Sequence, residues 1–131
     1  MSNSRKLISS GAPWENIVGY SRAVRVGNVI EISGTTASDG DTIIGKGDVH
    51  AQTVFILEKI KKVLEEAGSG IEDVVRTRMF VTDIAQWEKA ASAHLQFFKD
   101  IKPATTMVQV SKLINDELLI EIEATAIISN K

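Results

Sequence analysis

A chain of 131 residues is long enough to bury one hydrophobic core and too short for two, so one domain spanning residues 1–131 is expected. Its 15 basic and 17 acidic residues leave a formal net charge of −2, with no basic run longer than Lys61–Lys62, which argues against nucleic acid or an anionic membrane as a partner. Cysteine is absent, excluding disulfides, thiolate metal sites and a cysteine nucleophile; no stretch approaches the about 18 apolar residues of a membrane helix, and the N-terminal residues carry no signal-peptide core, so a cytoplasmic protein is expected.

In chain order, a short apolar stretch at Leu7 and Ile8 precedes Tyr20–Val26, whose alternation, followed by the Gly27-Asn28 turn and Val29–Gly34, predicts a β-hairpin. Thr35–Gly47 holds three glycines and only Ile43 and Ile44 as large apolar residues, so it reads as a loop with room for a brief strand. Asp48 is placed to cap a helix in which Val54, Leu57, Ile60, Leu64 and Ala67 recur at helical spacing, stopping at Gly68-Ser69-Gly70. A strand is expected over Val74–Val81. Asp83 and Gln86 form a capping-box pair before a second helix carrying Trp87, Ala91, His94, Leu95 and Phe98, which Pro103 ends. Two strands follow, about Thr105–Val110 and Leu119–Ile128, joined through an Asn115-Asp116 turn. The order implies an α+β domain with both helices on one face of the sheet. Val24, Val26, Ile30 and Ile32 spread apolar groups to both faces of the hairpin, so self-association through the sheet is expected to cover the other side.

Four runs carry more specific information: Gly19–Gly34 (GYSRAVRVGNVIEISG), Ala67–Ile84 (AGSGIEDVVRTRMFVTDI), Pro103–Val110 (PATTMVQV) and Ile120–Ala124 (IEIEA). In this order and spacing the chain resembles the RidA (YjgF-like) family, whose older names include L-PSP endoribonuclease and translation inhibitor. The resemblance implies a chorismate-mutase-like fold, a mixed β-sheet with two helices on one face, assembled as a homotrimer with a small-molecule ligand in each intersubunit cleft. It also implies hydrolysis of reactive 2-imino acids to 2-oxo acids and ammonia, with no metal and no cofactor. The family's pocket tyrosine falls on Tyr20, its serine and glycine on Ser33 and Gly34, and its water-positioning glutamate on Glu121.

Three positions depart from the family. Its carboxylate-binding arginine is Thr105, followed by Thr106; its cysteine is Met107; and its helix asparagine is Ala91. A guanidinium grips a carboxylate with two parallel hydrogen bonds, whereas a threonine hydroxyl offers one neutral bond, so the departures argue against the usual 2-imino acid substrate. Arg78, on the same strand face as Arg76 and Phe80, is a candidate to restore the charge, with an exposed arginine or an ion pair as the plain reading. His94 lies one helical turn beyond Ala91 and is a candidate proton shuttle, with a structural histidine as its plain reading. Glu121 and Glu123 share one strand face, and Glu121 is the candidate acceptor for an attacking water. The expected site is therefore catalytic Glu121 and His94 with substrate-binding Tyr20, Ser33, Gly34, Arg78, Ala91, Thr105, Thr106 and Met107.

The expected function is deamination of a small reactive imine or enamine by a cofactor-independent hydrolase with altered specificity. The alternative is a ligand-binding or regulatory trimer without turnover. A ribonuclease reading meets no basic groove, histidine pair or stacking motif. His50 and Asp48 lack metal-ligand spacing, and the glycines of 40–47 lack a phosphate-loop lysine in register.

Overall fold

The computed structural model describes residues 5–129; the outermost residues of the expected domain, 1–4 and 130–131, lie outside it. The elements are β1 (Arg5–Ile8), α1 (Pro13–Val18), β2 (Ala23–Val26), β3 (Val29–Thr35), β4 (Ser38–Asp39), β5 (Thr42–Ile43), α2 (Val49–Glu66), β6 (Val74–Val81), α3 (Trp87–Phe98), β7 (Ala104–Gln109) and β8 (Ile120–Ile127). Six strands form one mixed sheet in the order β1-β2-β3-β8-β6-β7, and β4 with β5 makes a separate two-stranded ribbon. Only β6 and β7 are parallel, and the crossover between them is α3. The last two strands are thus not partners: β8 inserts between β3 and β6, and β7 becomes an edge.

Alternation decides which side of the sheet meets the helices. Ile30, Ile32, Thr77, Met79, Val81, Ile120, Ile122, Ala124 and Ala126 point to one side and are buried. Against them lie Ile56, Leu57, Ile60 and Leu64 of α2, all with no exposed surface, and Ala90, Ala93 and Phe98 of α3. Gln52 ties α2 to the start of β8: its amide oxygen accepts from Leu119 N–H (2.8 Å) while its nitrogen donates to the Glu117 carbonyl (2.9 Å), so a fully buried amide is satisfied at both ends. The opposite side carries Val24, Val29, Glu31, Arg78, Phe80, Val108, Glu121 and Glu123, and no described element covers it.

The Asp48 carboxylate accepts from Ala51 N–H at 3.0 Å and caps α2 as its sequence implies, and Gly68 takes a left-handed φ of 86° just past the helix end. The second helix starts differently from the expected capping box. Asp83 bonds Ala85 N–H (3.0 Å), closing a short 3-10 turn over Ile84–Gln86, so Gln86 lies inside that turn and α3 begins at Trp87. Strand β1 and helix α1 were not foreseen. A four-residue strand with one buried side chain has almost no periodic signal, yet β1 extends the sheet through β2; α1 rests on Pro13 in its first turn and Gly19 at its end, φ 92°.

Candidate functional site

On the helix side of the sheet edge, α3 stands over β6 and β7 and leaves a pocket of about 350 Å³. Its walls are largely apolar: Met79, Met107, Leu95 and Phe98, with Ala91 on the helix and Lys99 and Lys102 exposed at the rim. Register puts Thr105 beside Thr77 and Met107 beside Met79, so these β7 residues face the helix. Thr77, fully buried, donates its hydroxyl to Thr105 Oγ1 (2.7 Å) and also meets His94 Nε2 (2.9 Å). The His94 ring packs on Phe98 with centroids 4.5 Å apart, and burial pushes its pKa below the ordinary 6.5. Near neutral pH the imidazole is therefore uncharged.

Glu121 occupies the other side of the sheet, opposite Phe80. The β3–β8 pairing slips between Ile32 and Thr35, which places Ser33 and Gly34 in an irregularity beside β8. The Glu121 side chain lies directly over Gly34: a Cβ there would sit 2.9 Å from Glu121 Cδ and closer still to Oε2. Glycine at this position lets the carboxylate lie against the backbone; a side chain here would make Glu121 withdraw. Burial raises the Glu121 pKa above 4.5, the Arg22 guanidinium pulls it down, and Glu123 adds to the rise. Among the described residues no hydrogen-bond donor holds the Glu121 carboxylate.

Arg22, which sequence reasoning passed over, organises this side. It is buried, donates through Nη2 to the Gly34 carbonyl, and has its guanidinium 5.8 Å from the centre of the Tyr20 ring. Ser33 Oγ donates to the Ser21 carbonyl at 2.7 Å, completing a frame of Tyr20, Ser21, Arg22, Ser33 and Gly34. Tyr20 and Ser33 also edge a depression of about 680 Å³ that reaches Glu15. Burial would raise the pKa of Glu15, but hydrogen bonds from Ser10 and Ser9, with Arg22 nearby, outweigh it and hold the carboxylate ionised. Lys59, from α2, donates to the carbonyls of Thr36 (3.2 Å) and Ser38 (2.9 Å), fixing the loop after Gly34. The signal for Arg22 was a cation on a strand partnered by the Ser33-Gly34 pair; the signal for Thr77 was a hydroxyl at a core position of an otherwise apolar alternation.

The ten expected site residues thus divide into two groups that do not meet within one chain. Tyr20, Ser33, Gly34 and Glu121 lie together, whereas Ala91, His94, Thr105 and Met107 lie together across the sheet. Arg78 is on the Glu121 side, but it is exposed and its nearest carboxylate is that of Glu123, 3.9 Å away; Arg22 is the cation that acts on Glu121. Thr106 is also on that side, accepting from Arg76 Nη2 at 2.8 Å rather than facing the pocket of Thr105. Among the described residues no three histidine, aspartate or glutamate side chains converge as metal ligands, and no helix is long and apolar enough to cross a membrane.

Comparison with known proteins agrees with this architecture. Residues 11–128 match the family described as Endoribonuclease L-PSP. An uncharacterised protein of Streptomyces coelicolor is 34% identical over 125 residues, covering 95% of this chain and 93% of its own. The 3-aminoacrylate deaminase RutC of Acinetobacter baylyi is 31% identical over 121 residues, covering 92% and 94%. A crystal structure of a YjgF/YER057c/UK114 family member from Mycobacterium tuberculosis superposes with a TM-score of 0.88 at 46% identity, covering 95% of this chain and all (100%) of that one. An α+β sheet of this order and a match along nearly the whole chain lead to one conclusion: the protein belongs to the RidA (YjgF-like, L-PSP) family.

Proposed function

We propose that this protein is a cofactor-independent deaminase that hydrolyses a small reactive imine or enamine, and that its substrate is not held by a guanidinium–carboxylate pair. The observation that carries the reading is Glu121: a half-buried carboxylate, held by no donor among the described residues and with its pKa raised, seated on a glycine whose replacement by a larger residue would displace it. Such a group can accept a proton from water as the new C–O bond forms at the C=N carbon. The water's other proton stays on that oxygen while Glu121 passes the proton it took to the nitrogen, giving the carbinolamine; the hydroxyl proton then moves to the nitrogen through the same carboxylate as C–N breaks, C=O forms and ammonia leaves. An enamine enters the same sequence after tautomerising to its imine. A relative named as a 3-aminoacrylate deaminase supports the reaction type. The Thr105 pocket supports the change of substrate, since its walls are apolar and its two lysines are solvated at the rim.

The working unit in this proposal is a homotrimer in which Glu121 of one chain faces the Thr105 pocket of its neighbour. Two half-sites on opposite sides of one sheet, and an uncovered face that exposes Val26, Val29 and Val108, support it. The test is ammonia release from freshly generated imines, with and without an α-carboxylate, against Glu121→Gln. Turnover of a neutral imine above buffer, abolished by the substitution, is expected. If nothing is turned over faster than buffer, the enzyme reading is wrong and the alternative, a ligand-binding trimer without turnover, takes its place.

A further inference from the structure

Thr77 has a single hydroxyl proton. The geometry gives that proton to Thr105, and its own oxygen still approaches His94 Nε2 at 2.9 Å. Two acceptors cannot share the contact, so His94 must donate from Nε2 and leave Nδ1 bare. The chain then runs in one direction, His94 to Thr77 to Thr105, and Thr105 has received a hydrogen bond without spending its own proton. No described residue accepts that proton, and Thr105 lines the pocket between α3 and the sheet edge. We propose that the His94–Thr77–Thr105 relay makes the Thr105 hydroxyl an aligned donor in this apolar pocket, selecting a neutral ligand that presents one carbonyl or imine acceptor beside an apolar body.

Successive hydrogen bonds polarise one another, so the last hydroxyl in the relay is a better donor than an isolated threonine. The neutral imidazole matters for the same reason: a relay headed by an uncharged group places a donor in the pocket without placing a charge there. Lys99 and Lys102 stand at the rim in solvent, where attraction to an anion is screened and no bidentate geometry is imposed. His94 and Thr77 are positioning residues here, and Thr105 is the group that touches the ligand. The inference rests on the Thr105 pocket being the substrate pocket of the proposed function, but it concerns binding and does not need turnover.

Two measurements test it. Nitrogen-15 NMR of the His94 ring reads the relay directly: the Nε2–H tautomer is expected, and Thr77→Val is expected to change the ring shifts. A predominant Nδ1–H tautomer would reverse the direction, consume the Thr105 proton and overturn the proposal. Binding is then followed by chemical-shift titration with cyclopentanone, a neutral acceptor, and cyclopentanecarboxylate, its anionic counterpart. The ketone is expected to bind at the Thr105 pocket, about tenfold more weakly in Thr105→Val and near wild-type strength in Thr105→Ser. Equal ketone binding in Thr105→Val, or tighter binding of the carboxylate, defeats the selection. If the ketone binds as expected while no imine is deaminated, the relay stands and the catalytic reading alone fails.

Discussion

Gly34→Ala separates the Glu121 site from the fold more cleanly than any change to the carboxylate. The backbone at Gly34 is not in the left-handed region, so alanine meets no conformational penalty there. The added methyl instead lies 2.9 Å from Glu121 Cδ and 3.2 Å from Cγ, against about 3.5–4.0 Å for a comfortable carbon contact. The Glu121 side chain must withdraw by about 1 Å, which an off-rotamer glutamate can absorb for about 0.5–1.5 kcal/mol. For a domain of this size that is a fall of about 2–6 °C in Tm. The carboxylate moves toward water, so its raised pKa should return toward 4.5. A displacement of this size can reduce turnover about 100-fold. Carbon-13 titration of Glu121, a thermal melt and the ammonia assay together check the outcome. An unchanged Glu121 titration would show that the methyl does not displace the carboxylate. A loss of 15 °C or more would show that Gly34 is part of the fold's support rather than a seat for the side chain.

The pH response of stability should carry two opposed signatures. His94 titrates lower folded than unfolded, so its contribution is complete above 6.5 and is lost as pH falls toward its depressed value; His94→Gln should flatten that acid limb in urea melts. Glu121 titrates higher folded than unfolded, so its contribution is complete below 4.5 and is lost as pH rises through the raised value; Glu121→Gln should therefore stabilise the protein at pH 7 and not at pH 4. Arg22→Met leaves the Gly34 carbonyl without its donor and Glu121 without its nearby cation, so about 1–3 kcal/mol should be lost and the Glu121 pKa should climb further, measured by denaturation and NMR. Leu57→Ala, at a site with no exposed surface, should cost about 2–5 kcal/mol in the same denaturation assay.

Much of this arrangement was legible from local chemistry. Asp48 and Gly68 bound α2 because capping bonds form within a few residues of chain, and β6 was recoverable because β-branched and aromatic residues cluster over Val74–Val81. The start of α3 was misread since Asp83 and Gln86 satisfy the capping-box spacing equally well whether the carboxylate bonds two or three residues ahead; the backbone of the turn selects two. Arg78 looked like the replacement charge because spacing cannot weigh a neighbour. In the fold Glu123 stands beside it, and Arg22, distant from Glu121 in the chain, is the cation within reach.

Composition, periodicity and the four family runs were sufficient for the α+β class, the two helices on one side and the family, because these depend on what each residue prefers over one or two turns or strands. Which half of the expected site belongs with which depended on strand order. β8 slides between β3 and β6, putting Glu121 over Gly34, and β7 joins β6 in parallel, turning Thr105 toward His94. A shift of one residue in either pairing would send Glu121 or Thr105 to the opposite side of the sheet, and register over such separations is decided by packing the whole core. That a threonine, Thr105, follows Pro103-Ala104 is visible in the chain. That the buried Thr77 and an uncharged His94 stand behind that threonine is visible only once the strands have paired.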